Sequence, residues 1–306
     1  MPIDNDQLVM RRRPLPRWMK VPLPAGQNFH EVRKLVQQYH LHTVCQSAHC
    51  PNIGDCWSRR TATFMILGDV CTRNCRFCHV TSGMPAPVDR DEPIRVAAAV
   101  KQLALRYAVI TSVTRDDLSD GGASIFADTI REIRKAVRGC LVEVLIPDFS
   151  GSQQALAMVI EARPDVLNHN LETVPALYPM VRPKADYHRS LKILEVAKQH
   201  GLTTKTGLML GLGETDEAVI DVMHDLRRVD CDFLTLGQYL QPSPWHLPIQ
   251  RYVPPSTFDQ LAEIGRQLGF RHVEAGPLVR SSYHAGESFM SRSANCEIQV
   301  DHPSLQ

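Results

Sequence analysis

The segment TATFMILGDVCTRNCRFC, residues 61–78, joins an apolar, β-rich run to a loop carrying three cysteines. Residues 63–67 have the length and composition of a strand buried on both faces. Cys71, Cys75 and Cys78 follow it at once with C-x3-C-x2-C spacing. Outward from this segment, the strand-then-polar-loop pattern repeats. Further strands are expected at 108–113, 141–146, 166–170, 203–210 and 233–237. Helical periodicity separates them at 93–106, 123–137, 152–162, 187–200 and 214–228. Six strand–helix units predict an α/β fold with a parallel sheet, either curled as a barrel or open and doubly wound. The polar stretches TRDDLSDGG, NHN, GLGE and GQYLQPS all lie where strands end. That is the C-terminal edge, where parallel barrels carry their chemistry.

Composition narrows the function classes. The chain has 306 residues, 43% apolar and 22% charged, which supplies a core and excludes wholesale disorder. Lys plus Arg (34) nearly balance Asp plus Glu (33), so a net charge of +1 offers no broad basic face for nucleic acid. The longest apolar run, ATFMILG at 62–68, is strand-sized, and no membrane span is expected. Arg11, Arg12 and Arg13 precede PLPRWMKVPLPAG, whose prolines deny the apolar stretch an export signal requires. A cytoplasmic protein is the expectation. Residues 1–28 read as an extended arm, and 30–41 as an amphipathic helix with Val32, Leu35, Val36 and Tyr39 on one face. A cysteine-rich loop is expected at 45–56.

Nine cysteines cannot all pair, and in a reducing compartment clustered thiols point to metal or redox chemistry. Structural zinc sites need four ligands, commonly in CxxC pairs. Three thiolates within eight residues instead suit three corners of a cubane iron–sulfur cluster. No fourth cysteine is local, so one iron stays open to an external ligand. Cys45, Cys50 and Cys56 form a second triplet, C-x4-C-x5-C, which by spacing alone suits zinc or scattered core thiols equally well. Cys140 and Cys231 read as small buried hydrophobes, and Cys296 as an idle thiol.

The C-x3-C-x2-C loop after a first barrel strand resembles the radical S-adenosylmethionine (SAM) superfamily. The resemblance implies a cluster on Cys71, Cys75 and Cys78 whose open iron chelates SAM, which is cleaved on reduction to a 5′-deoxyadenosyl radical. CQSAHCPNIGDCW, TSVTRDDLSDGG, NHNLETV, GLMLGLGET, LTLGQYLQPS and RSSYHAGE further resemble the lipoyl synthase family. That likeness runs from about Trp18 to Glu287 and implies several things. The fold is a partial parallel (βα)6 barrel of radical SAM type, with an N-terminal cluster-binding extension and a C-terminal closing segment. Its divisions fall at 1–56, 57–272 and 273–306. The reaction inserts two sulfur atoms at C6 and C8 of a protein-bound octanoyl-lysine. A second, auxiliary [4Fe–4S] cluster, on Cys45, Cys50, Cys56 and the serine of RSSY at Ser282, donates the sulfur. A hard oxygen among soft thiolates marks the iron most readily released.

Gly121 and Gly122 stand where many radical SAM enzymes carry GGE, although the third position here is Ala123. Alternation along a strand would turn either Asn168 and Asn170, or else His169, inward. Asn170 and Glu172, with residues 211–214, are expected near the SAM ribose and adenine. Implied partners are an octanoylated lipoyl carrier domain (E2 subunits of 2-oxoacid dehydrogenases, the glycine-cleavage H protein), an electron donor such as ferredoxin or flavodoxin, and an iron–sulfur carrier protein. Carrier domains of this kind are acidic, which gives Arg11, Arg12, Arg13 and Arg17 a docking role. The alternatives are another sulfur-inserting radical SAM enzyme such as biotin synthase, a non-catalytic iron–sulfur electron carrier, or a zinc protein.

The two triplets are expected to have separable roles. Replacing Cys71, Cys75 or Cys78 by Ala should abolish 5′-deoxyadenosine formation. Replacing Cys45, Cys50 or Cys56 should leave SAM cleavage measurable while removing sulfur from the product. Undiminished 5′-deoxyadenosine in a Cys75→Ala variant would remove the first assignment.

Overall fold

The structure, a computed structural model, describes residues 15–21 and 24–287. Arg11, Arg12, Arg13 and Cys296 lie outside the described residues. The chain begins with α1 (Gln27–Gln38), β1 (His42–Thr43), α2 (Val44–Ser47) and α3 (Ile53–Ser58). There follow β2 (Thr63–Ile66), β3 (Val70–Cys71), β4 (Thr81–Ser82), α4 (Glu92–Gln102), β5 (Tyr107–Ser112) and α5 (Ala123–Ala136). Next come β6 (Leu141–Leu145), α6 (Gln153–Glu161), β7 (Val166–Asn168), α7 (Tyr178–Val181), α8 (Tyr187–Gln199) and β8 (Thr203–Leu210). The last elements are α9 (Asp216–Arg228), β9 (Phe233–Gln238), α10 (Pro255–Gln267) and β10 (His272–Gly276).

Strands β2, β5, β6, β7, β8, β9 and β10 pair in that order, all parallel, and β1 lies antiparallel on the free edge of β2. Six strand–helix units therefore precede β10, as the alternation in the sequence predicts. The strand at 203–210 falls where expected, and the other five shift an end by at most two residues. Helix α4 stops short of the expected 106 because Ala104 turns left-handed at φ 52°. Helix α9 starts at Asp216 rather than 214 because the Thr215 hydroxyl caps it, accepting from the Ala218 N–H at 3.2 Å.

Several pieces were not anticipated, among them the short elements β1, β3, β4 and α7. The expected loop at 45–56 contains α2 and α3, each too short to carry a helical period. Helix α10, which buries Phe258, Leu261, Ala262 and Gly265 along one side, delivers β10 to the outer edge of β9. That i, i+3, i+4, i+7 spacing was present in the sequence. Among the described residues no helix is long and apolar enough to cross a membrane.

The core forms where helices cover the outer face of the sheet. One part joins Val32 and Trp57 of the N-terminal helices to Phe64, Ile110, Phe126 and Val144. A second gathers Leu208, Leu234 and Phe258 around the last three helices. Cys140 and Cys231 are both buried. A polar layer occupies the middle strands. Lys205 of β8 pairs with Glu143 of β6 at 3.0 Å, both nearly excluded from solvent. Tyr107 and Asn168 also donate to Glu143, at 2.6 and 2.9 Å.

Breaking this pair strands a buried ammonium, and removing one partner of such a pair costs about 3–5 kcal/mol. Glu143→Ala should therefore lower the thermal midpoint sharply, while Glu143→Leu combined with Lys205→Met recovers much of the loss. A small shift in Glu143→Ala by calorimetry would show that the Lys205–Glu143 pair contributes little to stability.

Candidate active site

Immediately after β2 the chain reverses through Leu67 (φ 69°) and Gly68 (φ 88°). The buried Glu92 carboxylate accepts the Leu67 N–H at 2.7 Å, and Arg115 donates to the Leu67 carbonyl at 3.3 Å. The cysteine loop is then clasped at its base, where β3 pairs with β4 through Val70–Thr81 and Cys71–Ser82. Arg73 anchors its middle. That guanidinium is 7% exposed and meets Asp116 and Asp148, each at 2.7 Å. Burial alone would raise the Asp148 carboxyl, but Arg73 more than offsets it and holds the group at about 2. The far side is tied by Arg76 N–H to the Val181 carbonyl and by the His246 ring to the Cys78 carbonyl at 2.9 Å. Cys71 Sγ accepts backbone N–H groups from Arg73 at 3.4 Å and Thr114 at 3.3 Å. Such bonds stabilise a thiolate and tune an attached cluster.

The second triplet is built on the N-terminal helices. Cys45 lies in α2, Cys56 in α3, and Cys50 in the turn between them, where its N–H reaches the Cys45 carbonyl at 3.0 Å. The C-terminal segment closes over this turn. Asn52 donates to the Leu278 carbonyl at 2.7 Å, His284 meets Asp55 at 3.2 Å and Arg59 meets Glu287 at 2.8 Å. Gly237, at the end of β9, admits the segment, since a Cβ there would overlap the Val279 carbonyl oxygen.

Both triplets and Ser282 open onto one cavity of about 1630 Å³. Asn170 and Glu172 line it too. His169 joins them, because β7 ends at Asn168 and strand alternation stops there. Asn168 points instead into the Glu143 layer. Gly121 and Gly122 do not line the cavity. They start α5 with positive φ, and a Cβ on Gly122 would overlap the Leu67 side chain. Residues 211–214 are also occupied locally, as the Glu214 carboxylate accepts from the Gly211 and Leu212 N–H groups at 2.7 and 2.9 Å.

Two cations that sequence reasoning passed over stand in the cavity wall. Arg182 donates to the carbonyls of Asn170 (2.8 Å) and Leu171 (3.1 Å), and lies 5.4 Å from the Tyr178 ring centroid. Arg280 lies between the two halves of the site, within electrostatic reach of Cys50 and Glu172. No motif marks Arg182, and Arg280 opens the RSSYHAGE stretch that was read for its serine alone. His169 donates Nδ1–H to the Ile146 carbonyl at 2.8 Å, and burial, helped by Arg182, pushes its pKa down to about 4. It is therefore neutral at pH 7. Burial raises the Glu172 carboxyl, and the nearby Arg182 opposes the rise.

The thiols are held in the same enclosed space. Burial pushes Cys78 and Cys56 up to about 12 and Cys45 to about 11, and it raises Cys50 and Cys75 as well. Thiols so placed ionise only when cationic metal takes the charge. Among the described residues no three His, Cys, Asp or Glu side chains converge on a point that would hold a single metal ion. A cluster asks for a different arrangement, in which each thiolate meets its own iron. The donor set is soft, enclosed and bonded by backbone N–H groups, and it fits a cluster better than mononuclear zinc.

Comparison with known proteins agrees with this geometry. The profile of the radical SAM superfamily matches residues 65–226. SuiB of Streptococcus suis, solved with S-adenosylmethionine, superposes with a TM-score of 0.55 at 9% identity, over 83% of this chain and 56% of that one. HydG, a maturase of the [FeFe]-hydrogenase, gives 0.54 at 16% identity, over 68% and 50%. The chain thus spans about half the length of these structures, and the likeness concerns the fold. Fold and site together define a radical SAM enzyme, whose common equipment is a [4Fe–4S] cluster and SAM. The profile of the N-terminal domain of lipoyl synthase matches residues 4–50, a stretch that includes Cys45 and Cys50. Lipoyl synthase of Rubrobacter xylanophilus is 57% identical over 274 residues, 89% of this chain and 85% of that protein. That of Caldanaerobacter subterraneus is 57% identical over 272 residues, 88% and 95%. The chain belongs to the lipoyl synthase family.

Gly237→Ala tests how the C-terminal segment is seated. Overpacking of this kind costs about 1–3 kcal/mol. In the metal-free chain the substitution should lower thermal stability and speed alkylation of Cys50 and Cys56. Unchanged alkylation would mean that the segment yields without uncovering the turn.

Proposed function

We propose that this enzyme inserts sulfur at C6 and C8 of an octanoyl-lysine presented by an acidic carrier domain, using the two cysteine triplets for different tasks. When bound, a cluster on Cys71, Cys75 and Cys78 supplies the electron that splits SAM, and one on Cys45, Cys50, Cys56 and Ser282 supplies the sulfur. The observation that carries this reading is that both triplets and Ser282 face the same cavity. A flexible acyl chain entering it meets the radical source and the sulfur source without leaving the protein.

The chain's own residues do the rest. Met65, Val109, Val113, Leu145 and Leu208 give the cavity apolar walls suited to an octanoyl chain. Each methylene removed from water contributes about 0.8 kcal/mol, so the chain binds without directional contacts. The same walls exclude water, which protects a reactive radical from side reactions. Asn170 and Glu172, joined by a 3.1 Å hydrogen bond, present polar groups suited to the SAM ribose. Arg182 holds the Asn170 carbonyl and keeps a positive charge beside Cys75 and Glu172. Arg280 places a second cation beside Cys50, opposing the negative charge that thiolate ligation builds up there. Ser282 offers the one hard oxygen in an otherwise soft set.

An octanoyl-lysine peptide incubated anaerobically with SAM and dithionite should gain two sulfur atoms by mass. Ser282→Cys should retain iron and sulfide and still form 5′-deoxyadenosine, but insert sulfur more slowly or stop after one atom. Wild-type rates for both insertions in that variant would remove ligand lability as the reason for serine. Normal iron content and turnover in Ser282→Ala would remove Ser282 from the site.

A further inference from the structure

We infer that the outer face of the C-x3-C-x2-C loop is the docking surface for an acidic, one-electron carrier protein that reduces the cluster. The inference rests on the reading of Cys71, Cys75 and Cys78 as the radical-generating site. Behind the loop, on its solvent side, lies a second and smaller cavity of about 430 Å³. Cys75, Cys78, His79, Val80 and His246 line both cavities, so the wall between them is one residue thick. The main cavity must be filled by SAM and the acyl chain during turnover. An electron carrier is then left with the outer side, where two of the three thiols approach the surface.

The chemistry of that surface selects the partner. Its lining of Asn74, Arg76, Ser82, Trp245 and the residues of the shared wall includes no carboxylate. Arg76 is exposed, and Lys184 reaches the same loop by donating to the Thr72 carbonyl at 3.2 Å. Among the described residues neither forms an ion pair, whereas the deeper Arg73 is neutralised by Asp116 and Asp148. The patch therefore keeps an uncompensated positive charge, in a chain whose net charge is only +1. Trp245 stands at its rim 92% exposed, and none of the described residues covers the ring. An exposed tryptophan among cationic side chains is the composition of an interface anchor. The Trp245 loop is not slack, since Ser243 bonds His246 at 2.8 Å and Leu247 N–H bonds the Arg76 carbonyl at 3.1 Å. The carrier gives up one electron and is oxidised by one, and the cluster accepts it. No proton or leaving group passes between the proteins.

The test uses the holoenzyme, with reduced flavodoxin as the acidic protein probe and dithionite as a small reductant. Lys184→Glu and Trp245→Ser are the variants, and Arg76 is left in place because it adjoins Cys75. Binding is measured by calorimetry at low and high salt, and 5′-deoxyadenosine by chromatography. Steered association changes on-rates by factors of ten and more. Lys184→Glu should therefore weaken flavodoxin binding on the order of ten-fold at low salt and flatten its salt dependence. Trp245→Ser should weaken binding at all salt concentrations, and both variants should match the wild type with dithionite. Equal losses with the two reductants would overturn the inference, because the residues would then support the loop rather than the partner. Unchanged flavodoxin binding would overturn it as well. So would a raised KM for an octanoylated carrier domain under dithionite, which would give the surface to the substrate. Absence of 5′-deoxyadenosine from the wild type with dithionite would instead overturn the reading of the loop, and this inference with it.

Discussion

The side-chain amide of Asn52 donates to the Leu278 carbonyl at 2.7 Å, joining positions 226 apart in the chain. Asn52 is 4% exposed, so water does not compete for the bond, and leaving such a group unpaired costs about 1–3 kcal/mol. The pairs His284–Asp55 and Arg59–Glu287 lie farther out on the same seam and are more exposed, which makes them weaker supports. The seam presses the segment after β10 onto the turn that carries Cys50. Without it, Ser282 and the N-terminal thiols would have no fixed relation, and the mouth of the barrel would stand open on that side.

The opposite wall of the cavity is held by the strand ends themselves. β2 is only four residues long, so the cysteine loop starts close to the sheet and takes its support from neighbouring strands. Thr114, just beyond β5, donates to Cys71 Sγ, and Asp148, just beyond β6, receives Arg73. A parallel sheet makes this possible because all its strands finish on one edge, so loops distant in sequence meet there. Gly207 and Gly237 carry no side chain on β8 and β9, which leaves room for Asn170 and for the Val279 backbone.

Charge is distributed to suit an enclosed thiol-rich site. Five cysteines are pushed toward the neutral thiol by burial, which disfavours the isolated thiolate and leaves the sites dependent on metal for ionisation. Arg182 and Arg280 supply fixed positive charge on the two sides of the cavity, near Cys75 and Cys50 respectively. His169 in the cavity wall stays neutral, so it adds a polar group without adding charge. On the outer face the sign is the same but the setting is different, because Arg76 and Lys184 are solvated and act at a distance rather than by contact.

The sequence by itself determined the strand–helix alternation, since apolar periodicity follows from local geometry. It also determined which residues carry soft donors, since cysteine spacing is visible without any fold. α2 and α3 escaped it, because helices of four and six residues are too short for a helical period to register, whereas α10 and β10 carried a readable pattern that was not used. Asn170 and Glu172, which the sequence singled out, line the cavity, as do Arg182 and Arg280, whose charge it did not single out. An arginine's role depends on what it is buried against: nothing adjacent to Arg182 in the chain signals that, and beside Arg280 the RSSY stretch drew the reading to its serine. Gly121 and Gly122, a motif-like pair, begin α5 with positive φ, and Gly122 lies against the Leu67 side chain, a packing that the sequence did not signal. Only the tertiary structure decided that residues more than two hundred positions apart share one cavity. Bringing Ser282 and the first cysteines to one cavity takes the whole run of the sheet and the buried Asn52 bond, and neither is a local property of the chain.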